Sequence, residues 1–141
     1  MTRESTGGNT RASEAETALN DATVVAIQIE SAAALRNVGE IAATEGVDLL
    51  LVGTNDLAAD LGIPAQYDHP LIADAYARTI EACQAAGKLV GVGGLSSRPD
   101  LVAAFVGMGA RYVSTGSDLA ALMSALQQQA ERVHALAELP R

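Results

Sequence analysis

The sequence lacks tryptophan, and its 141 residues include only one cysteine, one phenylalanine and three tyrosines. A single thiol cannot form an internal disulfide, and no cysteine or histidine spacing typical of a zinc site is present. Because aromatic side chains are scarce, the core must be built from aliphatic residues, which is typical of parallel sheets covered by helices. We expect Cys83 to act as a small buried hydrophobe within a helix.

Basic residues are also few, since nine Lys and Arg stand against 17 Asp and Glu, for a formal net charge of -8. This argues against nucleic-acid binding, because phosphate neutralisation needs clustered Lys and Arg. The apolar stretches are too short to cross a bilayer. The N-terminus lacks the charged segment and apolar run of a secretory signal. These absences predict a cytoplasmic protein.

A change of composition near Thr23 divides the chain into two parts. Residues 1–22 are interpreted as a flexible tail or the remnant of a loop, because the segment is mostly polar and has no apolar periodicity. Residues 23–141 are expected to form one domain. In it, short apolar segments alternate with helical patterns, and the segments predicted to be strands are 23–29, 47–52, 88–92 and 111–114.

The helical patterns carry recognisable end signals. Ser31 is predicted to cap the first helix, which ends at Gly46, and Pro70 to open a longer one. The segment 97–100, Ser-Arg-Pro-Asp, is predicted to form a capping box. The last helix, at 118–136, is predicted to carry an apolar stripe along one face, formed by Leu119, Leu122, Met123, Leu126 and Val133.

Strict alternation of strand and helix predicts an α/β fold with a parallel sheet and right-handed crossovers. A closed eight-stranded barrel needs about 200 residues or more, whereas this chain supplies four strand–helix units. The pattern therefore fits either an open four-stranded α/β sheet or half of a barrel.

Carboxylate residues follow two neighbouring strands near the point where each predicted strand ends. Glu30 follows the first strand, and Asp56 comes soon after the second. Ligands of parallel α/β folds bind at these carboxyl ends, and neighbouring strands lie about 4.8 Å apart, so the two side chains can share a small volume. Two carboxylates without a cationic partner need a shared proton or a bound cation. Oxygen-only ligands suit Mg²⁺, with Mn²⁺ or Co²⁺ able to substitute.

The second strand exit adds a signal for anion binding. Gly53 allows close backbone approach, and Asn55 with Asp56 begins a short turn whose N–H groups suit a carboxylate. A metal beside such a turn is what chelation of a 2-keto acid requires. From spacing alone, a helix cap at Glu30 and ordinary turn chemistry at the second exit are open alternatives.

Several other residues could suggest chemistry but have simpler interpretations. The glycines at 91, 93 and 94 lack the spacing of a dinucleotide or nucleotide loop, and close packing at a sheet rim accounts for them better. His69 is interpreted as a helix cap or interface residue, Asp118 as the cap of the last helix, and Asp60 as a solvent-facing residue.

Several ordered motifs between Thr23 and Leu126 carry a family resemblance. They are QIE at 28–30, EGVD at 45–48, GTNDLAADLG at 53–62, DHP at 68–70, GK at 87–88, MGAR at 108–111 and GSD at 116–118. Together they resemble the HpcH/HpaI aldolase family. These are class II enzymes that use a divalent metal and a pyruvate enolate to cleave or form 4-hydroxy-2-keto acids.

The resemblance implies a TIM-type (β/α)8 barrel, to which this chain contributes the second half. By analogy, Glu30 and Asp56 match the metal ligands, and Gln28 matches a polar residue beside the metal. The turn that holds the substrate carboxylate corresponds to Gly53, Thr54, Asn55 and Asp56.

Two departures from the family pattern stand out. Thr54 occupies a position where the family usually has proline. The first four strands have no counterpart, and with them go the histidine that transfers a proton and the arginine that steadies the enolate oxygen. His69 and His134 match other positions, so no catalytic residue is assigned.

The sequence therefore predicts a metal-dependent carbon–carbon lyase module that binds pyruvate or a related 2-keto acid. The half-barrel is expected to be completed by self-association or by a partner chain. One alternative is a catalytically weak or inactive homologue that serves as a binding or assembly subunit, and another is a truncated product of a longer gene. The aldehyde partner is not predicted.

Overall fold

The computed structural model describes residues 7–137. Within them, helices and strands alternate after an N-terminal helix. Their bounds are α1 Gly7–Asp21, β1 Ala26–Ile29, α2 Ala32–Arg36, α3 Val38–Ala43, β2 Leu49–Gly53, α4 Thr54–Asp60, α5 Pro70–Ala86, β3 Leu89–Gly93, α6 Pro99–Met108, β4 Tyr112–Val113 and α7 Asp118–Ala137. No helix in this part of the chain has the length and apolar character required to cross a membrane.

The four strands form one parallel sheet in the order β1-β2-β3-β4, so each strand pairs with the next one along the chain. The predicted strands and the α/β class are thereby confirmed. Sequential order is how strands follow one another in a barrel, whereas a doubly wound sheet reverses its order at a switch point. The observed order therefore favours a barrel segment, and the half-barrel stays a prediction.

The hydrophobic core lies between one face of the sheet and the helices. Leu50 and Val52 of β2 are fully buried, and they face helix α5 together with the alternate residues of the neighbouring strands. Tyr76 of α5 is fully buried and stacks on Phe105 of α6, with ring centroids 3.7 Å apart. As predicted from the composition, most of this core is aliphatic, and Cys83 is a buried free thiol within it.

The other face of the sheet is much less covered. Gln28, Leu51, Gly91 and Tyr112 lie side by side in register on this face. Tyr112 is 48% exposed, and Leu89 of β3 is 53% exposed. Apolar side chains therefore face solvent on the side opposite the helices.

The predicted helix starts at Ser31 and Pro70 are confirmed, but the first predicted helix is divided into α2 and α3, and α3 ends at Ala43 with Thr44 as its C-cap, before Gly46. The Ser31 hydroxyl caps α2 by accepting a hydrogen bond from the Ala34 N–H at 3.1 Å. Helix α5 begins at Pro70 as expected, with the preceding histidine as its cap, and ends at Gly87, which has a left-handed conformation with φ of 69°. That conformation favours glycine because other residues would suffer a clash at Cβ.

The interpretation of residues 1–22 as a tail or loop is wrong for Gly7–Asp21, which form helix α1. Alanine, glutamate and leucine in this segment favour helix formation locally. The described side chains from Ser13 to Asp21 are all exposed, so the helix buries no apolar stripe that periodicity could have revealed. Residues 1–6 lie outside the described part of the chain.

The predicted capping box at 97–100 is also wrong, because α6 begins at Pro99 and its N-cap is Arg98, without a side-chain cap. Ser97 therefore lies one residue too early to cap. The Asp100 carboxylate instead accepts hydrogen bonds from the Arg98 guanidinium, which also donates two to Asp68 at 2.9 and 2.8 Å. These contacts lower the pKa of both aspartates and join the loop before α5 to the start of α6.

The apolar stripe predicted for the last helix is present on α7, and its side chains are exposed. The side chains of this stripe are 55–65% exposed: Leu119, Leu122, Met123, Leu126 and Val133. The periodicity correctly predicted a helix with one apolar face, but periodicity does not say what covers that face. Helix α7 thus presents an uncovered apolar surface.

Truncating a leucine should cost very different amounts on the two faces of the sheet. We expect Leu50→Ala to lower the free energy of unfolding by about 2–5 kcal/mol, because it leaves a cavity among fully buried side chains. Leu89→Ala, on the open face, should cost about 0.5 kcal/mol or less. Urea denaturation of both variants measures the difference. Equal losses would mean that the open face is covered in solution.

Candidate functional site

A pocket of about 240 Å³ lies where β2 and β3 end, beside the end of β1. It is lined by Gln28, Leu51, Gly53, Thr54, Asn55, Asp56, Gly93, Gly94 and Ser114. All five residues that the sequence singled out for substrate binding are in this lining. The structure therefore brings them to one place.

Gln28 crosses the floor of the pocket because Gly53 has no side chain. A Cβ atom at Gly53 would lie 2.5 Å from the Gln28 amide nitrogen and 3.2 Å from the next two atoms of that side chain. Only glycine at this position leaves the glutamine where it is. The space beside Gly53, which the sequence suggested for close approach to the backbone, is thus occupied by the Gln28 side chain.

Thr54 has a structural contact that the sequence did not reveal. Its side chain is fully buried, and its hydroxyl donates a hydrogen bond of 2.8 Å to the Gly93 carbonyl. The Tyr76 hydroxyl lies 2.8 Å from the same oxygen, and it acts as the donor because the threonine proton is already used. The only advance signal was that a buried tyrosine normally needs a hydrogen-bond partner.

Asn55 closes the wall of the pocket against Gly94. This glycine has φ of +78°, and a Cβ atom there would lie 3.0 Å from the Asn55 amide nitrogen. Gly91 is equally restricted, since its Cβ would lie 2.8 Å from a Leu51 methyl group. Close packing therefore explains these glycines, as the sequence suggested.

The two candidate metal ligands lie at the ends of neighbouring strands. Ile29 pairs with Val52, so Glu30 follows at the level of Gly53, while Asp56 is in the first turn of α4 and lines the pocket. Glu30 is exposed and is not part of the lining. Among the ion pairs of residues 7–137, none involves either carboxylate.

The donor set suits a hard divalent cation that keeps several waters. Such an ion is often held by one or two carboxylates, and the pocket lining contains no Lys, Arg or His that would compete for them. Within the described residues, no group of three or more His, Cys, Asp and Glu is arranged to hold a metal. A metal site here would therefore have at most two such ligands, with amide oxygens and water completing it.

Asp60 ties the two strand exits together. Its carboxylate accepts a hydrogen bond of 2.7 Å from the Ala32 N–H at the start of α2. The side chain is exposed, as expected, but it also joins the end of α4 to the segment that follows Glu30. The bond restrains the first exit relative to the second.

The remaining candidate residues have structural roles. The His69 ring nitrogen Nδ1 accepts a hydrogen bond from the Leu71 N–H, so the histidine is a helix cap. The expected cap role of Asp118 is wrong, because Asp118 is the first residue of α7 and the Ser117 hydroxyl accepts the hydrogen bond from the Ala120 N–H. Burial raises the pKa of the Cys83 thiol, which disfavours a reactive thiolate.

Comparisons with known proteins show which sequences and folds this chain resembles. A model of the HpcH/HpaI aldolase/citrate lyase family matches residues 2–125. The chain is 40% identical over 94 residues to a 4-hydroxy-2-oxovalerate aldolase of Rhodococcus jostii (strain RHA1), which covers 67% of this chain and 36% of that protein. It is 35% identical over 111 residues to a 2-keto-3-deoxy-L-rhamnonate aldolase of Escherichia coli, covering 79% and 41%.

The fold agrees as well. An HpcH/HpaI aldolase from Desulfitobacterium hafniense DCB-2 superposes with a TM-score of 0.73 at 30% identity, covering 92% of this chain and 48% of that one. The chain thus spans less than half the length of each of these three proteins. Its four-stranded parallel sheet matches part of their TIM-barrel-type fold.

The contact between Asn55 and Gly94 can be tested with a matched pair of substitutions. Gly62 and Gly94 have nearly the same positive φ, but a Cβ atom at Gly62 would meet nothing within 4 Å. Gly62→Ala should therefore cost only the backbone strain of about 1–2 kcal/mol. Gly94→Ala should cost about 1 kcal/mol more, because the added methyl group displaces Asn55. Denaturant unfolding gives both values, and equal losses would contradict the contact.

Proposed function

The chain belongs to the HpcH/HpaI aldolase/citrate lyase family, and from this premise we propose that it is a metal-dependent lyase module that binds pyruvate or a related 2-keto acid. It would cleave or form a 4-hydroxy-2-keto acid once an eight-stranded barrel is complete. The observation that carries the proposal is the pocket at the strand ends, which gathers Gln28, Asn55 and Asp56 around the backbone at Gly53.

Glu30 and Asp56 are the proposed ligands of the divalent cation, which would be Mg²⁺, with Mn²⁺ or Co²⁺ as substitutes. Their negative charges are not neutralised by ion pairs within residues 7–137. Two carboxylates that converge from neighbouring strand ends in that state would favour a bound cation. When bound, such an ion supplies Lewis-acid polarisation of the substrate keto oxygen.

The polar lining is suited to a small acid. The side-chain amides of Gln28 and Asn55 and the hydroxyl of Ser114 can donate hydrogen bonds into the pocket. The Thr54 hydroxyl does not contribute, because it is bonded to Gly93. A substrate carboxylate would be held by the remaining donors, while its keto oxygen would face the cation that Asp56 and Glu30 would hold.

Turnover by this chain alone is expected to be weak or absent. The lining contains no histidine to transfer a proton and no arginine to stabilise negative charge on the enolate oxygen. Electrostatic stabilisation of such an oxygen is usually the largest catalytic contribution, and losing one donor costs roughly a hundredfold or more. Four further strands, from a second copy or a partner chain, would have to bring these groups.

The metal proposal predicts that Mn²⁺ binding depends on both carboxylates. Asp56→Asn and Glu30→Gln should each weaken Mn²⁺ binding by about tenfold or more, since even groups one hydrogen bond away from a metal commonly contribute that much. Glu81→Gln, which removes an exposed carboxylate on α5, is the matched control and should bind like the wild type. A Mn²⁺ titration of each protein, monitored by electron paramagnetic resonance, measures the affinities. Equal binding by all four proteins would rule out the site.

A second candidate function is a catalytically weak or inactive assembly subunit. The observation that favours it is the uncovered apolar surface of α7, together with Leu89 and Tyr112 on the open face of the sheet. Exposed apolar surface of this extent usually marks an association site. The two functions are compatible with one fold, but a pure assembly subunit would be indifferent to the carboxylate substitutions.

Association through α7 can be tested by the molar mass in solution. We expect the wild type to be larger than one chain, and Leu122→Glu to reduce the mass because a charge would enter an apolar contact. Gln128→Glu adds the same charge to the same exposed helix at a polar position and should change nothing. Light scattering after gel filtration measures the molar mass of the wild type and of both variants. A monomeric wild type would contradict association.

A further inference from the structure

We propose that Tyr76 and Thr54 are positioning residues that set the shape of the candidate pocket by fixing the Gly93 carbonyl. Neither hydroxyl has to touch a ligand for this role. The inference rests on the proposed function only for what the pocket binds, because the hydrogen bonds themselves are observed between protein groups.

Tyr76 is the fixed end of the arrangement. Its ring is fully buried and stacks on Phe105 at 3.7 Å between centroids, with an angle of 11° between the planes. Burial raises its pKa to about 12, so the phenol keeps its proton and remains a donor at ordinary pH. The hydroxyl is therefore held in one place by the helices behind the sheet.

Thr54 transmits this position to two walls of the pocket. It lies between Gly53 and Asn55, which line the pocket from the end of β2 and the start of α4. Its bond to the Gly93 carbonyl fixes the end of β3, immediately before Gly94. One buried hydroxyl thus joins the two strand ends between which the pocket opens.

The contact of Asn55 with Gly94 lies directly beside this bond. Gly93 and Gly94 therefore face Thr54 and Asn55 as two consecutive pairs, the first joined by a hydrogen bond and the second by close packing. Asp56 follows in the same turn of α4. A small shift at Thr54 would be passed on to the carboxylate proposed to hold the cation.

The hydroxyl groups are not needed to fill the core. A phenylalanine at position 76 would keep the ring and its stack on Phe105, and a valine at position 54 has nearly the shape of threonine. Tyr76→Phe removes the hydrogen bond to Thr54 and leaves the bond from Thr54 to Gly93 without its support. Thr54→Val removes both bonds and leaves the Tyr76 hydroxyl without this partner. Positioning can therefore be separated from packing by substitution.

The experiment compares Tyr76→Phe, Thr54→Val and Thr54→Ser with Thr79→Val. The last is a matched control, because Thr79 is also fully buried, but its hydroxyl donates to the Ala75 carbonyl within α5 and does not line the pocket. The first measurement is the backbone amide chemical shifts of Asn55, Asp56 and Gly94 without metal. The second is the affinity for Mn²⁺.

We expect Tyr76→Phe and Thr54→Val to shift the three amide signals and to weaken Mn²⁺ binding by about tenfold. Thr54→Ser keeps the hydroxyl and should therefore retain the wild-type amide signals and Mn²⁺ affinity. Thr79→Val should change neither, even if it loses a comparable amount of stability. Wild-type pocket signals and affinity in Thr54→Val, or equal changes in Thr79→Val, would overturn the inference.

The two proposals can fail separately. If the wild type does not bind Mn²⁺, the metal function is wrong, whereas the amide shifts still decide whether Thr54 and Tyr76 fix the pocket. If Thr54→Val does not fold, Tyr76→Phe decides the question, because it retains the buried ring and its stack. Unchanged pocket signals in that variant would then count against positioning.

Discussion

The covering of a parallel sheet by helices on one face only is the constraint from which the rest of this structure follows. Helices α5 and α6 pack on the face that contains Leu50 and Val52, and they connect strands that run in one direction. The segments that follow the four strands therefore all leave from the same end of the sheet, where the strands have their carboxyl ends. The pocket forms at that end because the segments after β1, β2 and β3 must turn there. The same asymmetry leaves the opposite face of the sheet open, with Leu89 and Tyr112 about half exposed on it.

The electrostatics of the pocket come from what the helices do with their charged groups. Arg98 is paired with Asp68 and Asp100, and Arg78 lies near Asp74 on α5. These arginines therefore neutralise carboxylates that are not in the pocket lining. The strand ends therefore carry carboxylates and amides without a neutralising cation in the pocket lining. This balance of charge supports the proposal that a divalent ion binds here and that an acid able to chelate the ion binds through it.

Most features set by local sequence could be predicted, apart from helix α1 and the start of α6, whereas features set by long-range contacts could not. The strands, the cap at Ser31 and the residues at each strand exit follow from periodicity and short-range chemistry, and the structure places them as expected. The bond between Thr54 and Tyr76 spans 22 positions, and that between Arg98 and Asp68 spans 30, so neither leaves a local pattern. Helix α7 also shows what local sequence cannot predict. Its apolar stripe was recognised from periodicity, but the pattern within one helix does not say whether another surface covers the stripe.

Thr54 shows how a departure from a family pattern can acquire a structural meaning. Proline at the first helical position fixes φ and so restrains the turn through the covalent ring. Threonine has no such restraint, and here the turn is held by a hydroxyl bonded to Gly93 and supported by Tyr76. A restraint built from hydrogen bonds depends on a second residue far along the chain, whereas a ring acts alone. Position 54 is thus coupled to position 76, and the geometry at the strand end depends on the packing of the helix layer behind it.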